Sequence, residues 1–79
     1  MKVNILFFGA AADAAGMREM ELAIEPGARA DELLASLLSR FPKLGDHKIL
    51  FAVNQEYSDG HTPVAEGDEL AVFTAVSGG

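Results

Sequence analysis

The chain has 79 residues, of which 49% are hydrophobic and 23% charged, with a net charge of −6 and no cysteine. This composition predicts one folded domain with a single small core, and it excludes a disordered chain, disulfides, thiolate zinc sites and iron–sulfur clusters. The negative charge disfavours nucleic acid and anionic membranes as partners and favours a basic protein. No apolar run approaches membrane-spanning length, and the N-terminal apolar segment is too short for a signal peptide, so we expect a cytoplasmic protein.

The first part of the chain is predicted to form two strands. Strand-forming residues over 2–8 end at Gly9 and predict the first strand. Polar and apolar residues alternate over 17–24, which predicts a half-buried strand whose even-numbered side chains, from Arg18 onwards, face inward. The segment 9–16 is small and bracketed by glycines, so we predict a connecting loop, although its alanines alone would support one helical turn.

A helix from Ala30 to Phe41 is the clearest element of the chain. Its apolar residues recur at three- and four-residue spacing, which is typical of a helix that packs on a sheet. Acidic residues in the first turn and Arg40 in the last match the helix dipole, and Pro42 prevents continuation.

The second half of the chain predicts two further strands. Residues 43–48 form a polar connection, and the apolar run over 49–53 predicts a buried strand. Asn54 suits a turn, and residues 58–64 are predicted to be irregular. Strong β-formers at alternate positions predict the last strand over 69–74.

The order of these elements predicts an α+β fold. A mixed sheet with a single main helix packed across it is the two-layer solution, with the first and last strands paired in parallel at its centre. We interpret this as a ubiquitin-like β-grasp domain over 1–74, followed by a flexible C-terminal Gly-Gly tail over 75–79.

Few residues are candidates for catalysis or metal binding. His47 and His61 lie in predicted loops without a second histidine at helical spacing, so we expect surface side chains and no metal site. Asp59 and the carboxylates over 66–69 surround a glycine turn, where solvated charge is ordinary. The glycines over 9–16 lack the Lys-Ser/Thr pair of a phosphate-binding loop.

Gly78-Gly79 after the last strand is the feature that points to function. Because glycine has no Cβ atom, this end of the chain can pass through a narrow channel in a partner and present its terminal carboxylate there. A carboxylate is a poor acyl donor, so a partner enzyme must convert it with ATP to an anhydride, typically the adenylate. Sulfide would then give a thiocarboxylate, and an amine would give a covalent protein tag.

Side-chain alternation in the first and last strands also predicts an apolar docking face. The helix would cover one set of side chains, namely Val3, Ile5, Phe7, Leu70 and Val72. Phe8 and Phe73 then lie on the open face close to the tail, together with Tyr57, where exposed aromatic side chains suit an interface. The alternative is that register or loops bury them.

Several motifs together resemble the small subunit of molybdopterin synthase. They are AVNQEY at 52–57, TPV at 62–64, EGDELAVF at 66–73 and VSGG at 76–79, and the FFG opening at 7–9 resembles that family as well. The resemblance spans nearly the whole chain, and its C-terminal third is the specific part.

The resemblance implies a ubiquitin-like sulfur carrier without a bound cofactor. Gly79, at the end of the tail Val76-Ser77-Gly78, would be adenylated by an E1-like enzyme with ATP and then converted to a thiocarboxylate by a sulfur donor. The tail would insert into the large subunit, which binds cyclic pyranopterin monophosphate and supplies the catalytic residues. Two carriers would flank a dimer of large subunits, forming a heterotetramer.

The resemblance also implies that Phe8, Tyr57 and Phe73 occupy the partner-binding positions. One departure is Thr74-Ala75, where the family usually has two prolines, and we expect a more mobile arm for that reason. A carrier for the thiamine pathway or for another sulfur-requiring pathway remains an alternative, as does a ubiquitin-like protein modifier or interaction module.

Overall fold

The computed structural model describes residues 1–74. Within them, no helix is long and apolar enough to cross a membrane. The elements in chain order are β1 (Lys2–Phe7), α1 (Ala10–Ala15), β2 (Glu19–Ala23), α2 (Ala30–Arg40), a 3₁₀ helix (Pro42–Asp46), β3 (Ile49–Val53), β4 (Glu56–Tyr57) and β5 (Glu69–Thr74).

The strands form one five-stranded mixed sheet in the order β2-β1-β5-β3-β4. β1 and β5 pair in parallel, and the other pairs are antiparallel. The register places Ile5 beside Leu70 and Phe7 beside Val72. The predicted β-grasp architecture, with the first and last strands paired in parallel at the centre, is therefore confirmed.

The core lies between α2 and one face of the sheet. Leu33 and Leu37 of α2 are buried there. The side chains that alternation assigned to the helix side are at most 2% exposed, namely Val3, Ile5, Phe7, Leu70 and Val72. Each such side chain contributes roughly 1.5–3 kcal/mol of transfer free energy, so burial of this layer stabilises the fold.

α2 begins and ends through local contacts. The Arg29 backbone N–H donates a hydrogen bond to Glu32 Oε1 at 3.0 Å, which satisfies one donor that the first helical turn leaves free. At the other end the helix stops one residue earlier than predicted, because Pro42 cannot continue it. Phe41 instead turns its ring onto Phe7, with ring centroids 5.8 Å apart in an edge-to-face contact.

The prediction of a loop between the first two strands is wrong, because the alanines there form α1. Ala11 and Ala15 are buried, and their small side chains let this short helix lie close to the core. Gly16 ends the helix with φ of 75°, and its N–H donates to the Ala12 carbonyl at 2.8 Å. Glycine adopts this left-handed conformation without a Cβ clash.

Two further segments are more regular than predicted. The polar connection over 43–48 is largely taken up by the 3₁₀ helix, whose Leu44 is fully buried. The residues before the irregular stretch form β4, in which Tyr57 pairs with Ala52 and Glu56 pairs with Val53.

The second strand is shorter than predicted, and one of its inward assignments is wrong. Leu22 is buried, whereas Arg18 is exposed and precedes the strand. The Arg18 carbonyl still accepts a hydrogen bond from the Phe7 N–H at 2.8 Å. A guanidinium has no charged partner in the apolar layer, so its exposure avoids a large desolvation cost.

Candidate functional site

The face of the sheet turned away from α2, here called the open face, carries Phe8 beside the last strand. The Phe8 N–H donates to the Val72 carbonyl at 3.0 Å, which extends the parallel β1–β5 ladder by one residue. This register brings Phe8 beside Phe73. The Phe8 side chain is 51% exposed, although a phenyl ring gains free energy from burial.

Tyr57 completes a group of three aromatic residues on the open face. Its ring contacts Phe73 edge to face, with centroids 5.7 Å apart and an interplanar angle of 64°. Tyr57 is nevertheless 81% exposed. We call Phe8, Tyr57 and Phe73 the aromatic patch. The structure places all three where alternation predicted them, and their role in binding a partner stays a prediction.

The open face has apolar residues that sequence reasoning did not select. Leu50 lies opposite Phe73, and Ala52 lies opposite Ala71. Both belong to the uninterrupted apolar run of β3, in which composition alone does not show which residues face the helix. Only the register with β5 assigns them to the open face. Leu50 is partly exposed and widens the apolar surface around the aromatic patch, whereas Ala52 is buried.

The aromatic patch lies at the end of the chain segment that leads to the tail. Phe73 and Thr74 are the last residues of β5. The predicted tail over 75–79, including Ala75, Val76, Ser77, Gly78 and Gly79, lies outside the described residues, and the roles assigned to it stay predictions. A partner that binds the aromatic patch would contact the chain immediately before that tail.

A cleft of about 640 Å³ opens beside Phe8, where α1 and the start of β2 meet the end of β1. Its lining combines apolar and charged side chains, among them Leu6, Phe8, Ala12, Asp13, Arg18 and Glu19. The cleft is continuous with the aromatic patch through Phe8, so it widens the surface on which a partner can dock.

The carboxylates after β4 stabilise turns. Asp68 Oδ2 accepts a hydrogen bond from the Ala65 N–H at 2.8 Å, and Asp59 Oδ1 accepts one from the His61 N–H at 2.9 Å. The Ala65 hydrogen bond, followed by one from the Asn54 side chain, holds the pKa of Asp68 below its ordinary value. These contacts give the carboxylates a structural role and no shared catalytic geometry.

The histidines do not converge on a common site. His47 and His61 are both exposed, as predicted. Over residues 1–74, no group of three or more histidine, aspartate or glutamate side chains could hold a metal ion.

Comparison with known proteins identifies the family. The ThiS family profile matches residues 5–79. The chain belongs to the ThiS family. The molybdopterin synthase sulfur carrier subunit of Mycobacterium tuberculosis is 34% identical to this ThiS-family chain over 82 residues, which cover 100% of the chain and 99% of the relative. The resemblance to the small subunit of molybdopterin synthase is thus confirmed.

Solved structures show that the ThiS-family chain shares its fold with other small proteins. SAMP1 of Haloferax volcanii, a small archaeal modifier protein, has a TM-score of 0.86 and 29% identity, with 100% of both chains covered. A chain from the complex of subunits 1 and 2 of molybdopterin-converting factor of Helicobacter pylori has a TM-score of 0.70 and 24% identity, again with 100% of both chains covered.

Proposed function

We propose that this chain is the sulfur carrier subunit of a molybdopterin synthase, with Gly79 as the residue that carries sulfur. The observation that carries the proposal is the match to a curated sulfur carrier subunit, 34% identical over 100% of this chain. The exposed aromatic patch at the end of β5 supports it, because a carrier must dock its body where its tail enters the partner.

The chemistry proposed for Gly79 has three steps. An E1-like enzyme joins the Gly79 carboxylate to AMP from ATP and releases pyrophosphate. Hydrosulfide supplied by a sulfur donor then attacks the acyl carbon and displaces AMP, and loss of the S–H proton leaves a thiocarboxylate. The thiocarboxylate finally gives its sulfur to cyclic pyranopterin monophosphate in the large subunit, and the carboxylate is regenerated with an oxygen from water. The chain itself would bind no cofactor, and we place this sequence of reactions in the cytoplasm.

The proposed partner is the large, catalytic subunit, bound through the aromatic patch. The name of the M. tuberculosis relative describes a subunit, and the H. pylori neighbour was solved with a second subunit. Ordering the tail in the partner costs roughly 1–2 kcal/mol per residue, which contacts of the aromatic patch offset. Two such carriers on a dimer of large subunits would form the expected heterotetramer.

The test is mass spectrometry of the chain after incubation with ATP, an activating enzyme and a sulfide donor. We expect sulfur in place of one oxygen at Gly79, seen in the C-terminal fragment. Fragmentation is needed because oxidation of Met1, Met17 or Met20 adds nearly the same mass. An unmodified Gly79 in the presence of an enzyme that sulfurates another carrier would contradict the proposal.

A protein modifier is the second candidate, favoured by the 29% identity with the archaeal modifier SAMP1. In that case an amine would attack the adenylate in place of sulfide, and Gly79 would end in an isopeptide bond. Peptide mass spectrometry of conjugates separates the two, since a lysine linked to Gly79 indicates a modifier and a thiocarboxylate indicates a sulfur carrier.

A further inference from the structure

β2 forms an outer edge of the sheet, and its free backbone groups can be assigned. The Phe7 N–H donates to the Arg18 carbonyl at 2.8 Å, and the Ile24 N–H donates to the Met1 carbonyl at 2.7 Å. In an antiparallel pair, alternate residues point their N–H and C=O groups to the same neighbour. The even-numbered residues of β2 therefore bond to β1, whereas the backbone groups of 19, 21 and 23 point away from the sheet.

These outward groups are available to an added strand. Throughout residues 1–74, no hydrogen bond engages the N–H of Glu19, Glu21 or Ala23. Natural sheets protect an edge by making it short, twisting it, or placing proline or charged side chains on it, and the two glutamates of β2 oppose pairing with a second copy of the chain. The opposite edge, β4, has only two residues, whereas β2 has five and contains neither proline nor glycine.

The side chains of β2 select the chemistry of the added strand. Glu19 and Glu21 are exposed on the open face, whereas Met20 is only partly buried on the helix side and Leu22 is fully covered. Pairing of two copies along this edge would place glutamates beside glutamates, and like charges directly opposite are destabilising. A strand with cationic side chains would instead form favourable pairs, and an apolar residue between them would cover Met20.

We propose that the outer edge of β2 binds an extended basic segment of a partner protein, which adds to the sheet as a further strand. The segment alternates lysine or arginine, facing Glu19 and Glu21, with apolar residues on the helix side. This edge shares Glu19 with the cleft beside Phe8, but it includes no residue of the aromatic patch and does not require Gly79. A negative sulfur-transfer test would therefore not contradict strand addition at β2, and a failure of peptide binding would not contradict the carrier function.

The test is an NMR titration of the full ¹⁵N-labelled chain with an acetylated, amidated heptapeptide, Lys-Val-Lys-Val-Lys-Val-Lys. We expect the amides of Glu19, Glu21 and Ala23 to shift and to exchange with solvent more slowly, while those of Met20 and Leu22 change less. The control peptide has the same composition in blocks, Lys-Lys-Lys-Lys-Val-Val-Val. Equal binding of the control, or shifts centred on the acidic turn over 65–69, would overturn the proposal.

A pair of variants at Glu21 separates the backbone contribution from the charge. Glu21→Gln keeps the outward N–H and should weaken peptide binding about two- to fivefold, as expected for one lost charge pair. Glu21→Pro also removes that N–H without removing a bond to β1, and should weaken binding by roughly a further tenfold. Equal affinities of the two folded variants would overturn strand addition. If Glu21→Pro does not fold, the alternating pattern of amide shifts in the unmodified chain decides the question.

Discussion

Phe73 is a residue whose contribution to binding can be separated from its contribution to folding. Its ring is half-buried and makes an edge-to-face contact with Tyr57 on the open face. We expect Phe73→Ala to weaken association with the large subunit by about tenfold or more, as for an aromatic residue at the centre of an interface. The same substitution should lower the melting temperature of the isolated chain by less than truncation of a core residue does.

The matched control for this prediction is Val72→Ala, one residue earlier in β5. Val72 is fully buried on the helix side, so its truncation should lower the melting temperature more than Phe73→Ala does and change affinity less. Calorimetry and a binding titration on both variants make the comparison. A large loss of stability from Phe73→Ala with unchanged affinity would mean that Phe73 belongs to the core.

Gln55 is a strained residue of the β3–β4 hairpin. The two residues of its turn, Asn54 and Gln55, have φ of 49° and 71°. Asparagine tolerates this left-handed backbone conformation, whereas glutamine is disfavoured in it. Gln55→Gly should therefore stabilise the chain by about 0.5–1 kcal/mol in chemical denaturation. Gln55→Ala keeps the Cβ atom and should give no gain. A stabilisation of equal size in both variants would show that backbone strain is not the cause.

At the scale of elements, the turn that leads into β5 depends on the charge of Asp68. Its pKa lies below the ordinary value of 3.8, mainly because the Ala65 N–H donates a hydrogen bond to the carboxylate. A lowered folded-state pKa means that the contribution to stability is present above pH 3.8 and is lost as the pH falls through the folded-state pKa. Asp68→Asn should consequently lower the melting temperature at about pH 6 by more than at about pH 3.

Glu66→Gln provides the control for Asp68. It removes a charge from the same turn, and its side chain makes no hydrogen bond within residues 1–74. The melting temperature of this variant should follow that of the unmodified chain across the same pH range. If Asp68→Asn shows the same difference at both pH values, the hydrogen bond from Ala65 does not depend on the charge.

The elements that sequence predicts well are those with a repeated pattern. The stripe of α2 and the alternation of β5 each provide several consistent residues, so their positions were found to within a residue. The 3₁₀ helix was missed because Leu44 is its single buried residue, and one apolar residue does not form a pattern. α1 was missed because alanine suits both a loop beside glycine and a helix, and only packing against the core decides between them.

The candidate site shows the same limit. Alternation was enough to place Phe8 and Phe73 on one face, because both strands have a clear inner set of side chains. Leu50 needed the register with β5, which depends on contacts distant in sequence. Sequence motifs identified the family from segments spread over most of the chain, since a motif does not require knowledge of which face each residue occupies.

At the scale of the whole molecule, the proposed reactive residue can be removed without truncating a side chain, because glycine has none. We therefore expect removal of Gly79 to leave the melting temperature unchanged and to abolish sulfur transfer. Gly79→Ala keeps a terminal carboxylate and should retain part of the activity, reduced because a Cβ atom restricts passage through a narrow channel. Unfolding of the shortened chain, or full transfer activity from it, would contradict this prediction.

The parallel pairing of β1 with β5 also has a consequence for how the protein is made. β5 lies at the centre of the sheet between β1 and β3, although it is synthesised after the other four strands described here. A chain that stops before β5 lacks the central strand and exposes the edges of both neighbours, which favours aggregation or degradation over folding. Premature translation products would therefore be cleared by quality control, and they would not compete with the complete protein for its partners.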